Sequence, residues 1–326
     1  MVLLENRNQS IDCVKIVAMF GVMALHTCLS RTNELPGFVL SRMFGLSIPL
    51  FFMVSGYLMH GRVIDYKYVF QKIFMILRFT FLVCLIIWFL EILRHDFSWI
   101  SFPKIWIGSF LQRGPMNVFW YFGAMIMIYA VLPLYNYLEQ NNHNFLMHFT
   151  IILTCISFIA FIADYSCSFE SNYIPQPFRL WYWLLYFSIG QLIKKTVLVG
   201  GVKIRLFHIL IYCALLLMFV YSTKTYIKGI EYFFGSVIMI VYSFSVFKYI
   251  ISKDIQKNDV ISVLSSLFLP CYAIHMFVIA AVKKLNLIQL FGVFSTWIDY
   301  ILVLLITLSI SYVLMRIPYI KQIFRI

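Results

Sequence analysis

Charge is scarce in this chain. Of its 326 residues only 12% are Asp, Glu, Lys or Arg, about half the share usual in soluble domains. With 62% apolar and 19% aromatic residues, the excess exceeds what one packed core absorbs, which excludes a soluble enzyme and a disordered chain. Cysteine pairs are also missing. Seven cysteines (13, 28, 84, 155, 167, 213 and 271) show no CxxC and no Cys/His ligand spacing. That excludes a secreted disulfide scaffold and predicts no metal site. Six of them lie in or beside apolar runs, where a free Cys behaves as a small hydrophobe. Alternation of apolar and polar residues is absent from the apolar runs as well, which argues against an outer-membrane barrel. No segment reads as a separate soluble domain, and no internal repeat stands out.

What the sequence has is continuous apolar runs. About 200 apolar residues are enough for about ten bilayer crossings of ~20 residues. Hydropathy and breakers predict them at 13–31, 43–60, 73–93, 118–138, 145–164, 179–193, 206–222, 230–250, 261–282 and 296–315. The expected fold is all-α: a polytopic integral membrane protein with about ten transmembrane helices, forming a single domain over 1–326. The first run continues to Cys28 and meets Arg31–Glu34 instead of a small-residue cleavage site, so it is expected to stay as a helix. The net charge of +13 comes from basic residues at the ends of apolar runs, where topology signals and lipid headgroups place them. No nucleic-acid partner is expected. The larger share of Lys and Arg falls on the side of the N-terminus, which predicts both termini in the cytoplasm of a multi-pass cell-membrane protein.

Ionisable groups inside such runs are the leading functional clues, because burying them in a bilayer is costly. The first run holds Lys15 and His26, with Asp12 at its start. At 100° per residue, His26 lies about 20° from Lys15 after three turns and Asp12 about 60° away. All three share one face, with His26 about 16 Å along the axis from Lys15. The plain alternative is two interfacial anchors and a hydrogen-bonded core histidine; the shared face favours function, and a near-neutral imidazole suits acid–base work. The second run holds Pro49, Ser55 and Gly56, which predicts a kinked helix approached closely by a neighbour. After it come Lys67, Lys72 and Arg78, readable as topology signals or as a grip on a phosphate-bearing donor. Trp120 and Tyr121 open the fourth run, and Arg179 precedes Trp181, Tyr182 and Trp183; these could contact a sugar or serve as interfacial anchors. In the ninth run Tyr272 stands one turn before His275, and a second intramembrane histidine strengthens the case for a buried polar site.

In order and spacing these residues resemble the acyltransferase 3 family, in its stand-alone form acting on bacterial surface polysaccharides. The resemblance rests on Ile11-Asp12 with Lys15, ten residues and His26; on Pro49 through Tyr57; on Trp120-Tyr121-Phe122 with Tyr129 and Pro133; and on Tyr272 through His275. It implies acyl transfer from cytoplasmic acyl-CoA, usually acetyl-CoA, to a hydroxyl of a cell-surface glycan or its lipid-linked precursor. The donor is a substrate, and no bound cofactor is implied. The family histidine maps to His26 and its basic partner to Lys15, a Lys in place of the more frequent Arg. The family's Arg-x-x-Arg element is degraded here to Lys72 and Arg78. On this reading His26 is the general base, Tyr272 or His275 its helper, and Asp12 orients Lys15. Lys15, Lys72 and Arg78 would meet the CoA phosphates, while Trp120, Tyr121 and Arg179 would face the acceptor. The rival reading is a transporter or flippase of a glycan or lipid-linked intermediate.

Overall fold

A computed structural model describes residues 8–28, 34–93, 101–167, 173–197, 203–222, 233–286 and 291–324. Residues 29–31 and 230–232 of the predicted runs fall outside them, as do Arg31 and the other basic residues in the gaps. Among the described residues every regular element is helical, with no strand. In chain order these are α1 (Gln9–Cys28), α2 (Leu35–Met43), α3 (Ser47–Met59), α4 (Tyr66–Leu93), α5 (Ser101–Phe110), α6 (Trp120–Asn141) and α7 (Phe145–Cys167). They continue as α8 (Leu180–Val197), α9 (Leu206–Ser222), α10 (Val237–Ile251), α11 (Asp259–Ser266), α12 (Phe268–Lys283), α13 (Ser295–Arg316) and α14 (Pro318–Ile323).

Among the described residues six helical segments are long and apolar enough to cross a bilayer: α1, Leu35–Met59, α4, Asn117–Asn141, α7 and α13. A seventh crossing results if the bent pair α11–α12 counts as one span, and α9 and α10 are shorter apolar helices. Large apolar side chains such as Phe70, Phe74, Phe89, Ile159 and Leu305 are exposed, as lipid contact requires and water forbids. The chain is a helical membrane protein.

The predicted run over 43–60 begins in a 3-10 turn at Phe44–Leu46 that joins α2 to α3 within Leu35–Met59. Pro49 sits in the first turn of α3, where the missing N–H has no helical partner to lose. The run over 261–282 bends by 58° between α11 and α12, and Pro270, the third residue of α12, explains the break in the same way. Several helices also run past the predicted bounds, because a helix can continue beyond the apolar stretch that crosses lipid. One example is α4, which begins at Tyr66 instead of 73.

The residues form two compact units, 1–60 with 186–317 and 61–185 with 318–326. In the first, α1 is the hub, packing against α2, α3, α10, α11, α12 and α13. Small residues allow the close approach. A Cβ at Gly21 would overlap the Ser47 hydroxyl, one at Gly56 the carbonyl oxygen of Phe187, and one at Gly190 that of Met53. The α3 and α8 backbones are therefore in contact, as small residues permit in membrane helices. Arg42, just ahead of the second predicted run, is 1% exposed, with its guanidinium over the rings of Phe233 at 5.2 Å and Phe38 at 5.9 Å.

The second unit is organised by aromatic contacts. Phe79 packs on Phe119, Phe122 and Phe324 at ring separations of 5.5–5.7 Å. Trp106 Nε1 donates to Thr80 Oγ1 at 3.2 Å, joining α5 to α4.

Candidate functional site

The site is built on α1. Asn8 caps the helix: its Oδ1 accepts from the backbone N–H groups of Ser10 (3.0 Å) and Ile11 (3.2 Å), satisfying donors that the first turn leaves unpaired. The first turn is then tied to the segment carrying α11. Gln9 Nε2 donates to Ser262 Oγ at 2.9 Å, Ser10 Oγ donates to the Lys253 carbonyl at 2.8 Å, and Ser265 Oγ donates to Asp12 Oδ1 at 2.7 Å. The same Asp12 oxygen lies 3.4 Å from Lys15 Nζ. Asp12 is 1% exposed, so its charge is held by the ammonium, the serine hydroxyl and the positive end of the α1 dipole. The Lys15 side chain keeps 29% exposure.

This polar clamp fixes α1 against the start of the α11–α12 pair, and α12 carries His275 to meet His26. The two imidazole rings are 5.3 Å apart between centroids and tilted by 46°; they lie 249 residues apart in sequence. Tyr272 packs its ring 5.8 Å from His275. His275 is fully buried and His26 half-buried. The His275 Nδ1 has two contacts, the backbone carbonyls of Tyr272 at 2.9 Å and Cys271 at 3.2 Å. Carbonyls only accept, so Nδ1 must carry the proton and a neutral His275 presents Nε2 as a bare lone pair. Among the described residues Nε2 has no hydrogen-bond partner. An unpaired nitrogen at full burial is costly and is the kind of group that active sites retain.

All five residues read as catalytic, Asp12, Lys15, His26, Tyr272 and His275, belong to the first unit. The stripe on α1 is continuous from Lys15 through Met19 and Val22 to His26, at spacings of four, three and four residues. The other five candidates belong to the second unit. Lys72 is half-buried with its ammonium 5.9 Å from the Tyr68 ring. Arg78, about 120° around α4 from it, is exposed and reaches the Gln322 carbonyl at 3.4 Å. Trp120 is buried against Trp183 with ring centroids 5.0 Å apart, while Tyr121 is half-buried beside Phe122. Arg179 is 4% exposed and its Nε donates to the Ile174 carbonyl at 2.9 Å, pinning the turn that precedes α8. Among the described residues no group of three His, Cys, Asp or Glu is placed to hold a metal ion.

Gln9, Ser10 and Ser265 did not stand out in the sequence. The available signal was an Asn-Gln-Ser cap before the first apolar run and a serine pair ahead of Pro270.

Inside a helical membrane protein, a half-buried histidine thus faces a buried one whose Nε2 is unpartnered among the described residues. The chain matches the acyltransferase domain family over residues 8–316 and belongs to the acyltransferase 3 family. Searches of curated proteins and of solved structures found no match. The protein is an acyltransferase by family, and its membrane helices make it an integral-membrane one.

Proposed function

We propose that this protein transfers an acyl group, acetyl in the first instance, from cytoplasmic acyl-CoA to a hydroxyl of a cell-surface glycan or its lipid-linked precursor. The observation that carries the reading is the His26–His275 pair, reached along one face of α1 from the partly exposed Lys15. The chain would cross the cell membrane about ten times with both termini in the cytoplasm. That topology puts Lys15 near the inner surface and His26 toward the outer one.

The chemistry needs a base for the acceptor hydroxyl and a route for its proton. His26 takes the hydroxyl proton as the oxygen attacks the thioester carbonyl. The C–O bond forms, the C–S bond breaks, and the proton passes to the departing CoA sulfur. His275, with Nδ1–H committed to backbone carbonyls, offers Nε2 as a second acceptor beside His26. Tyr272 supports the orientation of its ring. Lys15, held by Asp12, meets a phosphate of the donor. The assignment of Lys72 and Arg78 to donor phosphates, and of Trp120, Tyr121 and Arg179 to the acceptor, rests on sequence and resemblance, and each is tested by its own substitution.

The test is ester-linked acetyl on the host's surface glycan, measured by NMR before and after mild base. It compares a deletion strain, a wild-type complement and a His26→Ala complement with matched membrane levels. Acetyl lost on deletion and restored only by wild type supports the reading. Unchanged acetyl with reduced glycan export would replace it with transport.

A further inference from the structure

Beside His275 lies a small void inside the first unit. Its walls are Met19, Val22 and Met23 of α1, Phe51 of α3, and Phe268, Cys271, Tyr272 and His275 of α12. Apart from the side made by Cys271, Tyr272 and His275, the lining is thioether, aliphatic or aromatic. Its volume is ≈ 10 Å³, room for about one water-sized group. Val22 stands one turn before His26 on the same stripe, so the void opens about 5–6 Å along the helix axis from that ring. A void forfeits contacts along its walls. The mostly apolar wall suits a methyl group, whereas a single water would have to draw its two to four polar partners from the His275, Tyr272 and Cys271 side alone.

Resting on the acyl-transfer reading above, we propose that this void is the acyl-chain pocket and that Val22, Met23 and Phe51 set the chain length. The methyl of an acetyl group fills it, which leaves the thioester carbonyl carbon beside the two histidines. One further methylene has no space unless a wall moves, and overpacking a filled site is unfavourable. Discrimination against one extra methylene in an apolar pocket is about tenfold or more. The proposal therefore predicts a short-chain enzyme whose selectivity resides on α1 and α3, not in the binding of CoA.

The experiment uses membranes from cells carrying the full chain and its acceptor, given equimolar labelled acetyl-, propionyl- and butyryl-CoA together. The acyl groups released from glycan by mild base are counted. Wild type should favour acetyl over propionyl by about tenfold or more. Met23→Ala and Val22→Ala enlarge the void from two sides, so one remains informative if the other fails to accumulate. Either should bring the ratio below about threefold and admit butyryl, while Met147→Ala, on the exposed surface of α7, should leave it unchanged. Equal use of acetyl and propionyl by wild type overturns the pocket, and so does an unchanged ratio in an enlarged variant that still transfers acetyl. Wild-type membranes that transfer none of the three groups overturn the acyl-transfer reading itself, a distinguishable failure.

Discussion

Helices α1 and α4 can both cross a bilayer, yet they are built in opposite senses. The α1 window has a mean hydropathy of 1.6 and is 67% buried, whereas that of α4 has 2.6 and is 33% buried. The other four spanning segments follow the same order: Leu35–Met59 and Asn117–Asn141 are less apolar and mostly buried, α7 and α13 more apolar and mostly exposed. In water the most apolar helix would be innermost. In lipid the most apolar helix faces the solvent and the interior takes the polar residues. Low apolarity in a spanning helix is thus a pointer to the site, and α1, with Asp12, Lys15 and His26, is where it points.

The comparison breaks most sharply at His26. His26→Ala should lower acyl transfer by about 10²–10⁴-fold, the range for a general base, with protein levels in the membrane unchanged; quantitative blotting beside the transfer assay checks both. Next is the close packing around α1's neighbours. Gly56→Ala places a methyl into the Phe187 carbonyl and should cost about 1–3 kcal/mol by the overpacking rule, read as earlier thermal unfolding of detergent-solubilised protein. Of comparable size is the clamp. Ser265→Ala removes one hydrogen bond to the Asp12 carboxylate, about 1.5–3 kcal/mol at most for a charged partner, and should raise the KM for acyl-CoA more than it lowers kcat, because the carboxylate that holds Lys15 loses one of its anchors. At the small end, Phe89→Ala on the exposed face of α4 should stay within about 0.5 kcal/mol and leave transfer intact.

Helical periodicity made the α1 stripe legible, because α1 is unbroken from Gln9 to Cys28 and 100° per residue carries over to the fold. The all-helical membrane class was legible from composition alone. The ring contact between His26 and His275 was not, since it depends on the bend between α11 and α12 and on packing between helices distant in sequence. A proline such as Pro270 does not by itself say how far a chain will turn. The burial of Arg42 was hidden for a related reason: charge at the end of an apolar run reads as a surface anchor, and only the packed structure supplies the Phe233 and Phe38 rings that receive it. Hydroxyls such as Ser265 carry no sequence signal of their own, because serine serves equally as helix cap, packing residue and ligand.

The central claim is that the histidine pair carries the acyl transfer. Its most direct test is base-labile label moved from labelled acetyl-CoA to glycan in isolated membranes at matched protein levels, comparing wild type with His26→Ala and His275→Ala. The account predicts background label for His26→Ala and a clear loss for His275→Ala. Undiminished transfer by His26→Ala would contradict it.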